Sequence, residues 1–86
     1  METILVANHE AQVRSLARDI LLGAGYRVLE AENGIVAIDK ARREEPDAIL
    51  MDMSLPLMDG CEATRIIRKI PALRSTPIVA FTTFNQ

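Results

Sequence analysis

Four short apolar runs divide this chain, and the segments between them carry apolar residues at helical spacing. Residues 3–8, TILVAN, are mostly apolar, rich in β-branched side chains and flanked by polar residues. A run of that length predicts a strand buried on both faces. From 10 to 24 the apolar positions are Val13, Leu16, Ala17, Ile20, Leu21 and Ala24. This spacing predicts a helix with Arg14, Arg18 and Asp19 on its outer side, capped at its start by Asn8 and stopped by Gly23 and Gly25. Residues 26–30, YRVLE, predict a second strand, polar enough for a sheet edge. Asn33 and Gly34 then supply a turn and an N-cap. The helix they start runs to about Glu45 and buries Ile35, Ala37 or Ile38, and Ala41. Pro46 ends it, because a residue before proline is pushed out of the helical region.

Residues 48–53, AILMDM, predict a third strand that stays apolar until Asp52. The loop SLPLMDG follows, then a helix over 60–70 with Ala63, Ile66, Ile67 and Ile70 on one face, closed by Pro71. After a polar link, residues 77–82, PIVAFT, predict a fourth strand. Apolar strands alternating with helices over short connections predict one α/β domain over 1–86, a parallel sheet with helices on its faces.

Composition narrows the function classes. Of the 86 residues only Tyr26, Phe81 and Phe84 are aromatic, so the core is aliphatic and methionine-based. A net charge of −2 gives no electrostatic reason for nucleic-acid or membrane binding. Cys61 is the single cysteine, which excludes an internal disulfide and fits a reducing compartment, the cytoplasm. It reads as a partly buried small residue. Arg42, Arg43, Arg65, Arg68 and Lys69 read as solvated helix surface.

In an open parallel sheet, ligands sit beyond the carboxyl ends of the strands, where strand order reverses. Three predicted strands end there in polar residues: Asn8 with His9, Asp52, and Thr82 with Thr83. Asp52 is the strongest signal, because a carboxylate closing a buried strand costs desolvation unless something pairs with it. The structural alternative is that Asp52 caps the following turn.

PDAILMDMSLPLMDG at 46–60, with ILVANHE at 4–10, AENGIVAI at 31–38 and PIVAFTT at 77–83, resembles the receiver domain of bacterial two-component response regulators. Arg14 and Leu16 fall on that family's usual first-helix positions. The resemblance implies a flavodoxin-like (CheY-like) doubly wound sheet of order 2-1-3-4, lacking the family's fourth helix, fifth strand and fifth helix. It implies that Asp52 is the phosphoacceptor, Thr82 the switch hydroxyl, and the backbone carbonyl of Ser54 a Mg²⁺ ligand. Pro56, Asp59 and Gly60 shape the loop. A histidine kinase or phosphotransfer protein is then the partner.

Two departures follow from the same comparison. Asn8 and His9 stand where the family has an acidic pair, so Mg²⁺, which prefers oxygen ligands, is expected to bind weakly. His9 suits a softer metal, or is a solvated loop histidine. The family's later lysine and aromatic switch residue have no counterpart up to Gln86, which leaves the fourth strand as an edge open to self-association and the first helix with apolar surface uncovered. The alternative function is a phosphorylation-independent docking or dimerisation module. A phosphatase using Asp52 as nucleophile ranks last, because such enzymes carry a second Asp two residues on and this chain has Ser54.

Overall fold

The computed structural model describes residues 2–81, and Thr82, Thr83 and Phe84 lie outside the described residues. Four parallel strands, β1 (Thr3–Ala7), β2 (Arg27–Ala31), β3 (Ala48–Met51) and β4 (Ile78–Ala80), form one sheet in the order β2-β1-β3-β4. Helices α1 (Ala11–Gly23), α2 (Gly34–Glu44) and α3 (Gly60–Arg68) make the connections. The register pairs Ala7 with both Ala31 and Met51, so β1, β2 and β3 end level with one another. The predicted order 2-1-3-4 is the one observed.

Side-chain alternation explains the layers. Leu5, Ala7, Ile49 and Met51 share one face and join Ala37, Ile38, Ala41, Ala63, Ile67 and Leu73 in a single buried cluster under α2 and α3. Ile4 and Val6 are buried on the other face, the one left for α1. The two central strands are covered on both sides, as their unbroken apolar runs require.

Helix α1 has no buried residue, as expected of a first helix left uncovered: Leu16 and Ile20 are 64% and 63% exposed, because among the described residues no element packs outside them. Several local expectations need correction. Ile35 is likewise exposed, and α2 buries Ala37, Ile38 and Ala41. Asn8 does not cap α1; its Oδ1 accepts from the Glu10 amide at 2.8 Å, one residue before the helix begins. Arg68 is not a solvated surface group. Its Nη1 donates to the carbonyls of Leu73, Arg74 and Thr76, and so ties down a 3₁₀ turn (Pro71–Leu73) in place of a plain link. Cys61 is exposed.

Side chains cap both α2 and α3, the first as anticipated. Asn33 Oδ1 accepts from the Val36 amide at 2.8 Å, and Asp59 Oδ1 from the Glu62 amide at 2.9 Å. Both helices then begin with a glycine pressed against the 53–59 loop. A Cβ on Gly34 would collide with the Met58 carbonyl oxygen, and one on Gly60 with the Asp52 carbonyl oxygen and Met53.

Gly60→Ala is therefore expected to cost about 1–3 kcal/mol, the usual penalty for overpacking. Gly23→Ala, with open space around it, should be neutral or stabilise by about 0.5–1 kcal/mol. Urea denaturation of the two variants checks both, and equal behaviour would refute the close approach at Gly60.

Candidate functional site

Hydrogen bonds at the strand ends build the site. The Asp52 amide donates to the Ala7 carbonyl at 2.9 Å, and the Asn8 amide to the Ala31 carbonyl at 3.0 Å. Asp52 and Asn8 thus emerge side by side from β3 and β1, at the point where strand order reverses. Both residues are fully buried.

The two oxygens of Asp52 have different surroundings. Oδ1 accepts from the backbone N–H and from the hydroxyl of Ser54, each at 3.0 Å, closing a turn by which the chain leaves the sheet. Oδ2 is buried and accepts no hydrogen bond among the described residues. Facing it at 3.6 Å is Nδ1 of His9, beyond hydrogen-bond range and on a side chain that is 47% exposed. Capping the turn therefore occupies one oxygen of Asp52 and leaves the other uncommitted.

The structure brings Asn8, His9, Asp52 and the Ser54 turn together; Thr82 lies outside the described residues. The amide of Phe81 donates to the Met51 carbonyl at 2.7 Å, carrying the β3–β4 pairing one residue beyond β4.

Sequence reasoning missed Arg14. Placed on the outer side of α1 by its spacing, it instead donates from Nη1 to the Asn8 carbonyl at 2.7 Å. Its Nε lies 3.4 Å from Glu30 Oε1, and Arg18 Nη1 lies 3.4 Å from Glu30 Oε2. Lys40 Nζ donates to the Glu30 carbonyl. Arg14, Glu30, Glu32 and Lys40 line a polar recess of about 270 Å³. The available signal was an acid closing the edge strand, opposite two arginines one helical turn apart. These ion pairs are partly exposed and each contributes about 0–1 kcal/mol. Their role is to fix the path of the chain at Asn8.

The side chains here supply fewer oxygens than the roughly six that Mg²⁺ takes in octahedral array. Asp52 offers one free carboxylate oxygen. Asn8 spends its amide oxygen on Glu10 and leaves Nδ2, a hydrogen-bond donor, unpartnered among the described residues. His9 offers nitrogen. No three His, Cys, Asp or Glu side chains gather as a metal cluster among the described residues.

Residues 4–86 match the family model described as the response regulator receiver domain. The chain is 37% identical over 81 residues to the polar-differentiation response regulator DivK of Brucella anthropi, covering 94% of this chain and 65% of that protein. It therefore spans just under two thirds of the curated relatives it matches. The fold superposes on the chemotaxis response regulator CheY4 of Vibrio cholerae with a TM-score of 0.94 at 30% identity, over 100% of this chain and 72% of that one. A TM-score of 0.88 at 39% identity relates it to the receiver domain of a Pseudomonas aeruginosa sensor histidine kinase, described with a magnesium ion in its active site cleft. That match covers 92% of this chain and 65% of the other.

A dry, unpartnered carboxylate oxygen costs stability. Asp52→Asn keeps an acceptor for Ser54 and removes the charge, so it is expected to raise stability by about 1–3 kcal/mol at pH 8. Urea denaturation measures this, and a loss of stability would mean that Oδ2 is paired in solution.

Proposed function

The chain belongs to the response regulator receiver domain family, and on that premise we propose that Asp52 accepts a phosphoryl group in a phosphorelay. The observation that carries this reading is the division of labour in Asp52. Ser54 holds Oδ1 and so fixes the carboxylate plane, while Oδ2 keeps its lone pairs free at the carboxyl edge of the sheet.

In the proposed step Oδ2 attacks phosphorus of a phosphohistidine on a histidine kinase or phosphotransfer protein. The P–N bond breaks, its electron pair returns to the donor imidazole, and an acyl phosphate forms on Asp52. Access requires the half-exposed His9 to move aside. Thr82 is assigned the switch hydroxyl that receives a phosphoryl oxygen. The Ser54 carbonyl is left as an oxygen ligand for a cation, with Mg²⁺ held weakly because Asn8 and His9 supply no carboxylate. On this reading the chain is a signalling domain and not an enzyme, and it works in the cytoplasm. Among the described residues no helix is long and apolar enough to cross a membrane.

A second reading is favoured by the same lone carboxylate: a phosphorylation-independent module that docks or self-associates. Among the described residues β4 is a sheet edge, with Val79 half exposed, and such an edge is a template for pairing with a second chain.

Treatment with a small acyl phosphate and Mg²⁺, followed by intact mass, separates the two. A gain of one phosphoryl group that disappears in Asp52→Asn is the expected result. No gain under conditions that phosphorylate an acidic-pair receiver would leave the docking module.

A further inference from the structure

Helix α2 turns Ile35, Ile38, Asp39 and Arg42, at helical spacing, to one recess of about 520 Å³. Val36 from the same helix, Met58 from the loop before α3 and Ile66 from α3 complete its lining. Asp52 and His9 take no part in it. We propose that this recess binds a free medium-chain carboxylate, with the alkyl chain along the isoleucines and Met58 and the head group at Arg42. Such a site lies beyond the phosphoacceptor reading and does not rest on it.

The lining is apolar and uncovered. Ile35, which its spacing places inside, is 53% exposed, and Leu57 beside Met58 is 78% exposed. Exposed apolar side chains gathered around a concavity mark a binding site. Val36 and Ile66 lean on the core and give a firm floor, while Met58, being unbranched, adapts to an occupant's shape.

Charge at the rim selects an anion. Asp39 is engaged by Arg43 at 2.9 Å. Arg42 has no ion pair or hydrogen bond among the described residues, so the unmatched charge of the lining is positive. Size selects a small molecule. Sites for such ligands enclose roughly 300–1,000 Å³. A stable protein interface takes roughly 20–30 residues from each side, far more than line this recess. An acyl chain lying there also bears on Met58, part of the loop that orients Asp52 and packs on Gly34.

The test titrates the chain, labelled at its Ile, Leu and Met methyls, with sodium decanoate below its micelle concentration at neutral pH. Decanol and decyltrimethylammonium are the neutral and cationic comparisons. Saturable NMR shifts of the Ile35, Ile38, Ile66 and Met58 methyls are expected, with decanoate about tenfold tighter than decyltrimethylammonium. Arg42→Gln should weaken decanoate by about three- to fivefold, the worth of an exposed ion pair, and leave decanol unchanged. Ile35→Asp should weaken decanol by about fivefold or more through lost apolar contact. An Asp is favoured in the first turn of a helix, so this variant folds, as its amide spectrum will show.

Shifts centred on Leu16 and Ile20 of α1, equal affinity for the cationic chain, or decanoate binding unchanged in Arg42→Gln overturns the proposal. So does a titration that never saturates. Methyl shifts that follow protein concentration without ligand assign the recess to a second copy of the chain. Shifts seen only with phosphatidylglycerol vesicles assign it to a lipid surface, and either result also overturns the proposal.

Discussion

The last rung of the β1–β3 ladder, from the Asp52 amide to the Ala7 carbonyl, delivers a carboxylate into a place with little water. Strands β1 and β3 are central in the sheet, and their carboxyl ends are walled by the loops that leave them. A side chain there must find partners within those loops or remain unsatisfied. Asp52 does both, and the loop after β3 is built around that fact. Ser54 turns back to hold one oxygen, Asp59 starts α3, and Gly60 brings the helix close enough for its amide to donate to the Met53 carbonyl at 3.1 Å.

The middle of that loop is held as firmly as its ends. Leu55 is buried in the core cluster while Leu57, two residues on, is exposed and adopts a φ of 67°. Around Leu57 the Met58 amide donates to the Pro56 carbonyl at 2.7 Å, a three-residue turn. A leucine in the left-handed region persists only where its surroundings over-determine it. The anchors here are Leu55 in the core and the backbone of Met58 packed on Gly34. Asp52 therefore stands on a platform braced by the starts of both α2 and α3, the kind of support a reactive group needs to keep its orientation.

Strand existence and the burial of Asp52 were legible in the sequence because each follows from burial, which apolar runs report directly, whereas the sheet order came from the family resemblance. A carboxylate that closes the apolar run AILM is carried into the sheet with it and must meet a partner or a ligand there. Spacing alone could not report what lies outside a helix: the apolar stripe of α1 is real, and that Leu16 and Ile20 face solvent was legible only from the family resemblance. Nor does a helical wheel capture reach. Arg14 has a long stem and turns its guanidinium back to the Asn8 carbonyl, away from the direction its position implies. Asn8 departs from expectation by a small margin, since an Asn that can cap a helix can also close the turn before it, and its oxygen serves Glu10. The unequal treatment of the two Asp52 oxygens depends on one turn and one hydroxyl rotamer, which no periodicity encodes.

Charge number at this edge sets what the site requires. Carboxylates crowded within about 4 Å of one another repel by about 4 kcal/mol per pair at an effective dielectric constant of about 20. A site of three therefore carries a repulsion that a bound cation or a proton offsets. Here Asn8 is neutral and Asp52 is the only carboxylate in contact with His9 among the described residues. No such repulsion has to be offset, and the fold tolerates the single buried charge through Ser54 alone.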